Sequence, residues 1–564
     1  MEQAPRSWEL PDSSTFQAGE TIFSRVLRAR GLTEEEFLRR RQPVRHDHGL
    51  LTDMGRAVEL VEEAVREQVR IAIYGDYDAD GVTATALLVR AFHAIGIEPL
   101  AYIPNRQSEG YGLNLQALEE LSQQGAGLVI TVDCGTTAVV VVAARPPGMR
   151  LVITDHHLPH AAAEEGEFEL APADALVNPQ RPGDQYPFKG LAGVGVAYKL
   201  VVAMEESGLL PAGTAVQQLP LVALGTVADL MPLEDENRFL VSQGLALWTE
   251  SAPLGLLALA RGAGVDGTPT SADLAFSLGP RINAAGRMED ARLALDCCLA
   301  ATPAEAAKTA AALEGLNRTR RRSLSQAMEL ARPMVEKLSD DLAAIVIGDE
   351  AFPAGVVGLV AGRMAEEFQR PTFVFTMAGT EWRGSARGAP GLNVVEALSQ
   401  CQQVLLRFGG HRGAGGFSIR PDAEAARAFA SAVTAAVQEQ LGSREPSRAF
   451  RIDALAGLAE CNLKVADELA TLGPFGNANP AVLLCATDCR VVRTEPFGKA
   501  GDHLRIWLAD QTGSAEAITF NRPKLRPHLP PERRIDTLFE LEADRWRGRE
   551  GSRLLLRDLR PTRS

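Results

Sequence analysis

Short apolar runs punctuate the first half of the chain, and acidic or acid–histidine groups follow them. Ile71-Ala72-Ile73-Tyr74 leads into Gly75-Asp76-Tyr77-Asp78-Ala79-Asp80-Gly81. Leu128-Val129-Ile130-Thr131-Val132 leads into Asp133-Cys134-Gly135, Leu151-Val152-Ile153-Thr154 into Asp155-His156-His157, and Leu221-Val222-Ala223-Leu224 runs through Gly225 to Asp229. Apolar runs of this length, separated by stretches of helical periodicity, predict strands of a buried parallel sheet. Val82–Ile95 is one such helix, with Leu87, Leu88, Ala91, Phe92 and Ile95 on a single face. The alternation over residues 51–300 predicts a doubly wound parallel-sheet α/β domain. In open α/β sheets the ligand crevice lies beyond the carboxyl ends of the strands. One sheet edge is therefore expected to gather the carboxylates and both imidazoles. Without cations such a cluster would repel itself, so it points to bound metal.

The rest of the chain divides by pattern. Residues 1–50 form a lead-in with one short helix, Glu34–Arg41. Thr302-Pro303-Ala304-Glu305 reads as a capping box with proline at the first helical position. An Ala/Leu-rich helix then runs to about Ala331, ahead of Pro333, within a linker of residues 301–340; roughly 44 Å of helix would connect two domains. A helical hairpin inside one domain is the alternative. Ala343–Ile347 opens a second, smaller α/β domain (341–442) that continues through Pro371–Phe375 to about Leu441. Beyond the polar break Gly442–Ser447, short alternating runs at Ala481–Ala486, Arg490–Thr494, Leu504–Leu508, Ala515–Phe520, Thr537–Glu542 and Arg553–Leu556 predict a small β-barrel over 448–564.

Composition narrows the function classes. With 564 residues, 46% apolar and 23% charged, the chain is an ordinary multidomain globular protein. No apolar run approaches membrane-spanning length, and the acidic start without a hydrophobic core predicts a cytoplasmic protein. Seven scattered cysteines fit reduced thiols, and Cys485-x-x-x-Cys489 reads as two buried small residues rather than a zinc site. Net charge of −14 gives poor non-specific attraction for nucleic acid, so binding must rest on local basic surface. Residues 521–564 supply some, with twelve Lys/Arg against seven Asp/Glu. Neither a G-x-x-x-x-G-K-[ST] loop nor H-E-x-x-H is present, which leaves a P-loop motor and the commonest zinc protease without support.

Asp78 and Asp80, at extended spacing across Ala79, are expected to point the same way and serve one metal each. Asp133 at the next strand end is the natural bridge, His156 supplies nitrogen, and Asp229 completes an oxygen–nitrogen shell suited to Mn²⁺, with Mg²⁺ as substitute. Asp76 and Asp155 are further acidic candidates. Two such ions would activate water and steady the leaving oxygen of a phosphodiester. Phosphate-binding candidates are Arg106, Arg281, Arg383, Ser385 and Arg387. The glycine-rich basic loop with Gly409, Gly410, His411 and Arg412 either holds a phosphodiester backbone or is a packing turn. Tyr111 is a stacking or a core residue. Arg318, Arg320, Arg321 and Arg322 line a strand channel or a solvated helix face.

GDYDADG, VDCG, TDHH and GTVADLMPL are similar to the first four motifs of the DHH phosphoesterases. GPRINAAGRM (Gly279–Met288), RGSARG (Arg383–Gly388) and FGGHRGAGGF (Phe408–Phe417) resemble the motifs of that family's RecJ branch. All seven stand in the family's order, and the resemblance runs from about residue 50 to the end. It implies that Asp78 and Asp133 serve one metal, that Asp80, Asp133, His156 and Asp229 serve the other, and that His157 contacts phosphate or the outer shell. Tyr74 departs from the pattern: some members carry a metal-binding histidine there, so Asp76 or water is left to complete the first shell. The terminal barrel resembles an oligonucleotide-binding (OB) fold. The implied activity is metal-dependent 5′→3′ exonucleolytic cleavage of single-stranded DNA to 5′-mononucleotides, in recombination and repair. The implied setting is a monomer, with a single-strand-binding protein and a helicase as partners. Polarity does not follow from composition or spacing. The rivals are a DHH phosphoesterase acting on short oligonucleotides, 3′-phosphoadenosine phosphate or polyphosphate, and a non-catalytic single-strand-binding scaffold.

Overall fold

The buried apolar runs assemble as parallel strands in the computed structural model, which describes residues 7–11, 19–106, 109–110, 112–161, 168–339, 342–442, 449–498, 501–545 and 550–562. Strands β1 (Arg70–Tyr74), β2 (Leu100–Tyr102), β3 (Ala126–Val132), β4 (Arg150–Thr154) and β5 (Ala175–Val177) lie in the order β2-β1-β3-β4-β5, every pair parallel. Ile71, Ile73, Leu128, Ile130 and Val152 are buried, as strands covered on both faces require. The order reverses between β1 and β3, and such a switch point opens a crevice at the strands' carboxyl ends. Helix α1 (Ala79–His93) follows β1 and is buried along nearly its whole length. Helices α2 (Gly193–Glu206), α3 (Leu219–Ala228), α4 (Asp235–Ala246) and α5 (Gly279–Met288) complete the part of the domain that frames the crevice.

Two local expectations fail here. Leu221–Leu224 is not a strand but part of α3, whose residues Leu219–Val227 are all buried. The helix packs against α1, α2 and α4. A helix covered on all sides loses its polar stripe, so its apolar run cannot be told from a buried strand by periodicity. Nor are Asp78 and Asp80 extended: β1 ends at Tyr74, Asp78 is the N-cap of α1, and Asp80 lies in its first turn.

Helix α6 (Pro303–Glu336) is one continuous helix of 34 residues, about 51 Å long, not a hairpin. The predicted cap is present: Thr302 N donates to Glu305 Oε2 (3.1 Å) and Glu305 N to Thr302 Oγ1 (3.2 Å). The helix does not stop before Pro333. Ala327, Met328, Ala331 and Val335 share a core with Val356, Val360 and Met364, and this packing carries it past the proline.

The second α/β domain contains β6 (Ile345–Gly348), α7 (Val357–Phe368), β7 (Thr372–Ala378), β8 (Glu381–Arg387), β9 (Arg407–His411), β10 (Ala414–Ile419) and α8 (Ala423–Leu441). Its sheet order is β9-β10-β8-β7-β6, parallel only between β6 and β7. Phe373, Phe417 and Phe429 fill the core, the last two stacked at 4.5 Å. The glycine-rich basic segment is thus an antiparallel hairpin, not a loop, because its glycines pair across β9 and β10.

The terminal domain is a closed five-stranded barrel of β11 (Leu484–Phe497), β12 (His503–Ala509), β13 (Ser514–Thr519), β14 (Arg534–Asp544) and β15 (Gly551–Pro561), sealed by pairing of β11 with β14. Two predicted strands merge into β11, which bends at register shifts near Ala486–Cys489 and Val491–Arg493; bulges let one strand turn a barrel corner. Cys485 and Cys489 are fully buried, and all seven cysteines are free. The lead-in belongs to this domain's packing. Helices Ile22–Ala29 and Glu34–Arg40 insert Ile22, Val26, Leu27 and Phe37 into the barrel core. The second is the predicted Glu34–Arg41 helix, one residue shorter, whereas the first, at eight residues, is too short to register as periodicity.

By contacts, one compact unit holds Trp8–Gly286, Ala291–Ala311 and Arg451–Ser564, and the other Arg287–Asp290 and Ala312–Phe450. Among the described residues, no helix is long and apolar enough to cross a membrane.

Candidate metal centre

The turn after β1 brings three carboxylates to the switch point. Asp78 Oδ1 accepts from Asp80 N (2.9 Å) and Gly81 N (3.1 Å), capping α1. Asp80 reaches the first turn of α2, its Oδ2 accepting from Gly193 N (2.7 Å) and its Oδ1 from Val194 N (2.9 Å). Charge-assisted bonds of this kind hold a carboxylate in one orientation. A Cβ at Gly193 would lie 2.5 Å from Asp133 Cβ, so only glycine lets α2 approach this closely. Asp133 follows β3 with left-handed backbone (φ 61°), which aspartate adopts more readily than most residues.

The acids and imidazoles fall into overlapping groups. Asp76, Asp78 and Asp133 each offer a carboxylate oxygen within 4.8 Å of one another; so do Asp80, Asp229 and the imidazole of His156, and likewise Asp133 with His156 and His157. His156 Nε2 is 3.1 Å from Asp133 Oδ1, 3.7 Å from Asp229 Oδ2 and 3.8 Å from Asp80 Oδ2. Burial, then the charge of Asp78, pushes the Asp80 carboxyl up to about 7. Burial followed by Asp80 and Asp78 raises Asp133 and Asp229 well above the carboxylate range, and burial with Asp78 does the same to Asp76.

Asp155 behaves differently. Its Oδ1 accepts from His156 N (2.7 Å), His157 N (3.1 Å) and His157 Nδ1 (2.8 Å), and its Oδ2 from Thr136 N (2.9 Å). Burial alone would raise it, but the His157 charge and hydrogen bond, with smaller help from His156 and Thr136, outweigh burial and hold it below the usual range. Burial in turn lowers His157, yet the Asp155 charge and hydrogen bond override it and lift the imidazole to about 9. Asp155 therefore orients His157 through Oδ1, while Thr136 N occupies Oδ2.

Divalent cations fit this donor set. Asp76 Oδ1 and Asp133 Oδ1 are buried and accept no hydrogen bond among the described residues, although His156 Nε2 lies 3.1 Å from the latter. A buried carboxylate oxygen without a donor is costly, and a cation is the partner that satisfies several at once. Tyr74 is no ligand: its hydroxyl donates to Gly112 O (2.9 Å) and accepts from Asn114 Nδ2.

Several supporting residues escaped the sequence reading. Asn283, inside GPRINAAGRM, accepts Ala79 N at 2.8 Å and pins the turn between Asp78 and Asp80. Asn178, fully buried, donates to Thr136 Oγ1 and His157 O, both at 2.8 Å. The Gly193-Val194 amides carried a signal only in the spacing of LAGVGV, which reads equally as a packing helix.

Of the phosphate candidates, Arg106 lies over the Tyr77 ring (5.2 Å), and its charge acts on Asp76. Arg281 is on α5, the helix that carries Asn283, with Nη1 donating to Ser277 O (2.6 Å). Tyr111 lies outside the described residues. The remainder belong to the second compact unit. Arg383, Ser385 and Arg387 alternate along β8 and so share one face, with buried Gly384 and Ala386 between them. Arg387 Nη1 donates to Ser385 Oγ (3.1 Å). Gly409, Gly410, His411 and Arg412 are exposed on the edge hairpin. On α6, Arg318, Arg321 and Arg322 are exposed, and Arg320 donates to Asn317 Oδ1.

Comparison with known proteins extends the likeness beyond the site. Residues 70–226 match the DHH family N-terminal domain, 340–439 the DHHA1 domain and 452–558 the RecJ OB domain. The single-stranded-DNA-specific exonuclease RecJ of Haemophilus influenzae is 32% identical over 584 residues, covering 100% of both chains. RecJ of Bacillus subtilis is 33% identical over 93% of this chain, which spans 65% of that longer protein. The crystal structure of Thermus thermophilus RecJ in complex with Mn²⁺ matches with a TM-score of 0.80 at 30% identity, over 99% of this chain and 80% of that one. The same protein in complex with Mg²⁺ matches at 0.75. End-to-end identity at this level, together with the three domain matches in this chain, means that the chain belongs to the RecJ family of single-stranded-DNA-specific exonucleases.

Proposed function

We propose that the protein is a two-metal exonuclease that hydrolyses single-stranded DNA from the 5′ end and releases 5′-mononucleotides. The observation that carries this reading is the chain of donor groups in which Asp133 joins Asp76 and Asp78 on one side and, through His156, Asp80 and Asp229 on the other, with buried Asp76 and Asp133 oxygens that accept no hydrogen bond among the described residues. Asp76, Asp78 and Asp133 would hold one ion, and Asp80, Asp133, His156 and Asp229 the other, with Mn²⁺ preferred and Mg²⁺ a substitute. Ions bound there supply Lewis acidity, lowering the pKa of a water and offsetting charge on the leaving oxygen. The protein's own groups do the rest. Asp155 keeps His157 positively charged beside the centre, where it attracts a phosphate oxygen. Arg106 and Arg281 add guanidinium groups for the flanking phosphates. Asn283 and the amides of α2 keep Asp78 and Asp80 from moving as charge develops.

The division of labour follows the domains: catalysis in 51–300, a linker in 301–340, nucleic-acid contacts in 341–442 and strand binding in the barrel of 448–564. Arg383, Ser385, Arg387 and the hairpin residues Gly409, Gly410, His411 and Arg412 serve the strand and its terminal phosphate. Seven free cysteines fit a reducing, cytoplasmic compartment, and the RecJ resemblance implies a monomeric enzyme of recombination and repair that works with a single-strand-binding protein and a helicase. A 5′-labelled and a 3′-labelled single strand, digested with Mn²⁺, test the polarity. Early release of labelled mononucleotide from the 5′-labelled strand alone is expected. Release from the 3′-labelled strand first would reverse the polarity, and cleavage restricted to di- and trinucleotides would favour the oligonucleotide phosphoesterase.

A further inference from the structure

Asp229 terminates α3, and the next residue is in a conformation its own side chain does not explain. Leu230 has left-handed backbone (φ 58°), which L-residues avoid because Cβ crowds the carbonyl. Its side chain is 68% exposed, so burial of the leucine does not hold it there. Helix-end bonds account for part of the turn, with Leu230 N donating to Val227 O (3.2 Å) and Met231 N to Thr226 O (3.1 Å). A further anchor comes from far along the chain. Asn477 Nδ2 donates to Leu230 O at 2.7 Å, and Leu233 N donates to Asn477 O at 2.8 Å, so one residue grips both ends of the Leu230–Leu233 loop.

Asn477 lies in the turn Gly473–Pro480 that leads into β11, and the turn is itself braced. Asn479 Nδ2 donates to Leu472 O (3.0 Å) and Pro474 O (2.7 Å), Gly476 N donates to Asn479 O (2.9 Å), and Asn477 Oδ1 accepts from Ala478 N (3.0 Å). The same turn makes a second contact that does not touch the Leu230 loop: Ser271 Oγ donates to Phe475 O at 2.7 Å. Backbone strain of the Leu230 kind persists where its surroundings over-determine it, and such positions gather at functional sites.

We propose that Asn477 is a positioning residue for the metal centre. By holding Leu230 it fixes where α3 ends, and so where the Asp229 carboxylate stands beside Asp80 and His156. The segment leading into the barrel is thereby a structural part of the catalytic centre. This rests on the metal-centre reading above. Outer-shell partners of metal ligands typically contribute 10–100-fold in affinity or activity.

The test is Mn²⁺ binding to the full-length protein, followed by calorimetry and by the EPR spectrum of the bound ion, with thermal unfolding in EDTA as the check on folding. Asn477→Ala is expected to weaken binding at one of two sites about tenfold and to alter the spectrum. Asn477→Asp, which keeps the shape but turns an oxygen toward Leu230 O, should weaken it at least as much. Ser271→Ala, which loosens the same turn elsewhere, should leave affinity within about twofold, below the range of an outer-shell partner. Folded Asn477 variants with wild-type affinity and spectrum would overturn the proposal. So would an equal loss in Ser271→Ala, which would reduce Asn477 to a general contact between domains. Wild-type protein that takes up no Mn²⁺ would instead overturn the metal-centre reading itself.

Discussion

At Asp155 both carboxylate oxygens are engaged by N–H groups of Thr136, His156 and His157, which separates its role from that of the neighbouring acids. Asp155→Asn keeps the shape but removes the charge that holds His157 protonated. Mn²⁺ affinity should change little, while turnover falls by roughly 10–100-fold. A calorimetric titration beside single-turnover kinetics separates the two; loss of Mn²⁺ binding without loss of bound-state turnover would make Asp155 a ligand. The buried groups also set a pH dependence. Asp80 and His157 are raised to about 7 and about 9 from ordinary values of 3.8 and 6.5. A raised pKa contributes stability that is complete below the unfolded value and lost as pH climbs through the folded one. The Asp80 contribution thus fades between about pH 4 and 7, and that of His157 between about 6.5 and 9. Asp155, held low, contributes stability already complete above its unfolded value of 3.8 and constant over that range. In EDTA the melting temperature should therefore fall from pH 5 to pH 9, and Mn²⁺ should remove most of the fall. Scanning calorimetry with and without Mn²⁺ reads this directly, and a melting temperature that rises with pH in EDTA would contradict it.

Among the elements, β1, β3 and β4 were legible because continuous Ile/Val/Leu runs ending in Asp have few other readings. Helix α3 was not, since Leu219–Val227 is apolar on every side and only its packing against α1, α2 and α4 shows which period it follows. The D-x-D spacing had the same ambiguity: Asp78 and Asp80 are two apart on a strand or on a helix turn, and capping by Asp78 decides for the helix. Asn283, Asn178 and Asn477 act through backbone groups distant in sequence, which no local pattern encodes. Strand β8 was legible as chemistry: Arg383, Ser385 and Arg387 share a face because a strand repeats every two residues. If that face holds a terminal phosphate, Arg387→Ala should cut the preference for 5′-phosphorylated over 5′-hydroxyl strands about tenfold or more, the loss of a charge-assisted bond. Hydrolysis rates on the two substrates check it, and equal losses on both would remove β8 from end binding.

In the whole molecule, a chain of net charge −14 must bind a polyanion through local surface, and the barrel offers one. Leu504, Ile506 and Leu508 point into its core, so Trp507 lies on the outer face of β12, with the Arg493 guanidinium 3.6 Å from its ring centroid. Phe497, His503 and Phe520 form an aromatic cluster with centroids 5.1–6.0 Å apart, Phe520 being exposed. Basic and aromatic side chains in this arrangement suit stacked bases and a tracking backbone. Trp507→Ala and Phe520→Ala should each weaken binding of a long poly-dT strand about tenfold without changing its salt slope. Arg493→Ala should lower that slope by about one. Affinities at three salt concentrations distinguish these effects, and unchanged binding in all three variants would make the face structural. Point variants serve better than removal of the barrel, which would also expose Ile22, Val26, Leu27 and Phe37 and release Leu230 from Asn477.

The most direct test of the account is Mn²⁺ stoichiometry and single-strand hydrolysis measured together on wild-type protein and Asp133→Ala. Asp133 stands with Asp76 and Asp78 and reaches Asp80 and Asp229 through His156, 3.1 Å away. Wild-type protein should bind two Mn²⁺ per chain and degrade single-stranded DNA, and EDTA should stop it. A folded Asp133→Ala protein should lose high-affinity binding at both sites, with turnover reduced by several orders of magnitude, as loss of both metals' contributions requires. A folded Asp133→Ala protein that still binds two Mn²⁺ tightly, or keeps even roughly a tenth of wild-type turnover, would contradict a centre shared by two metals.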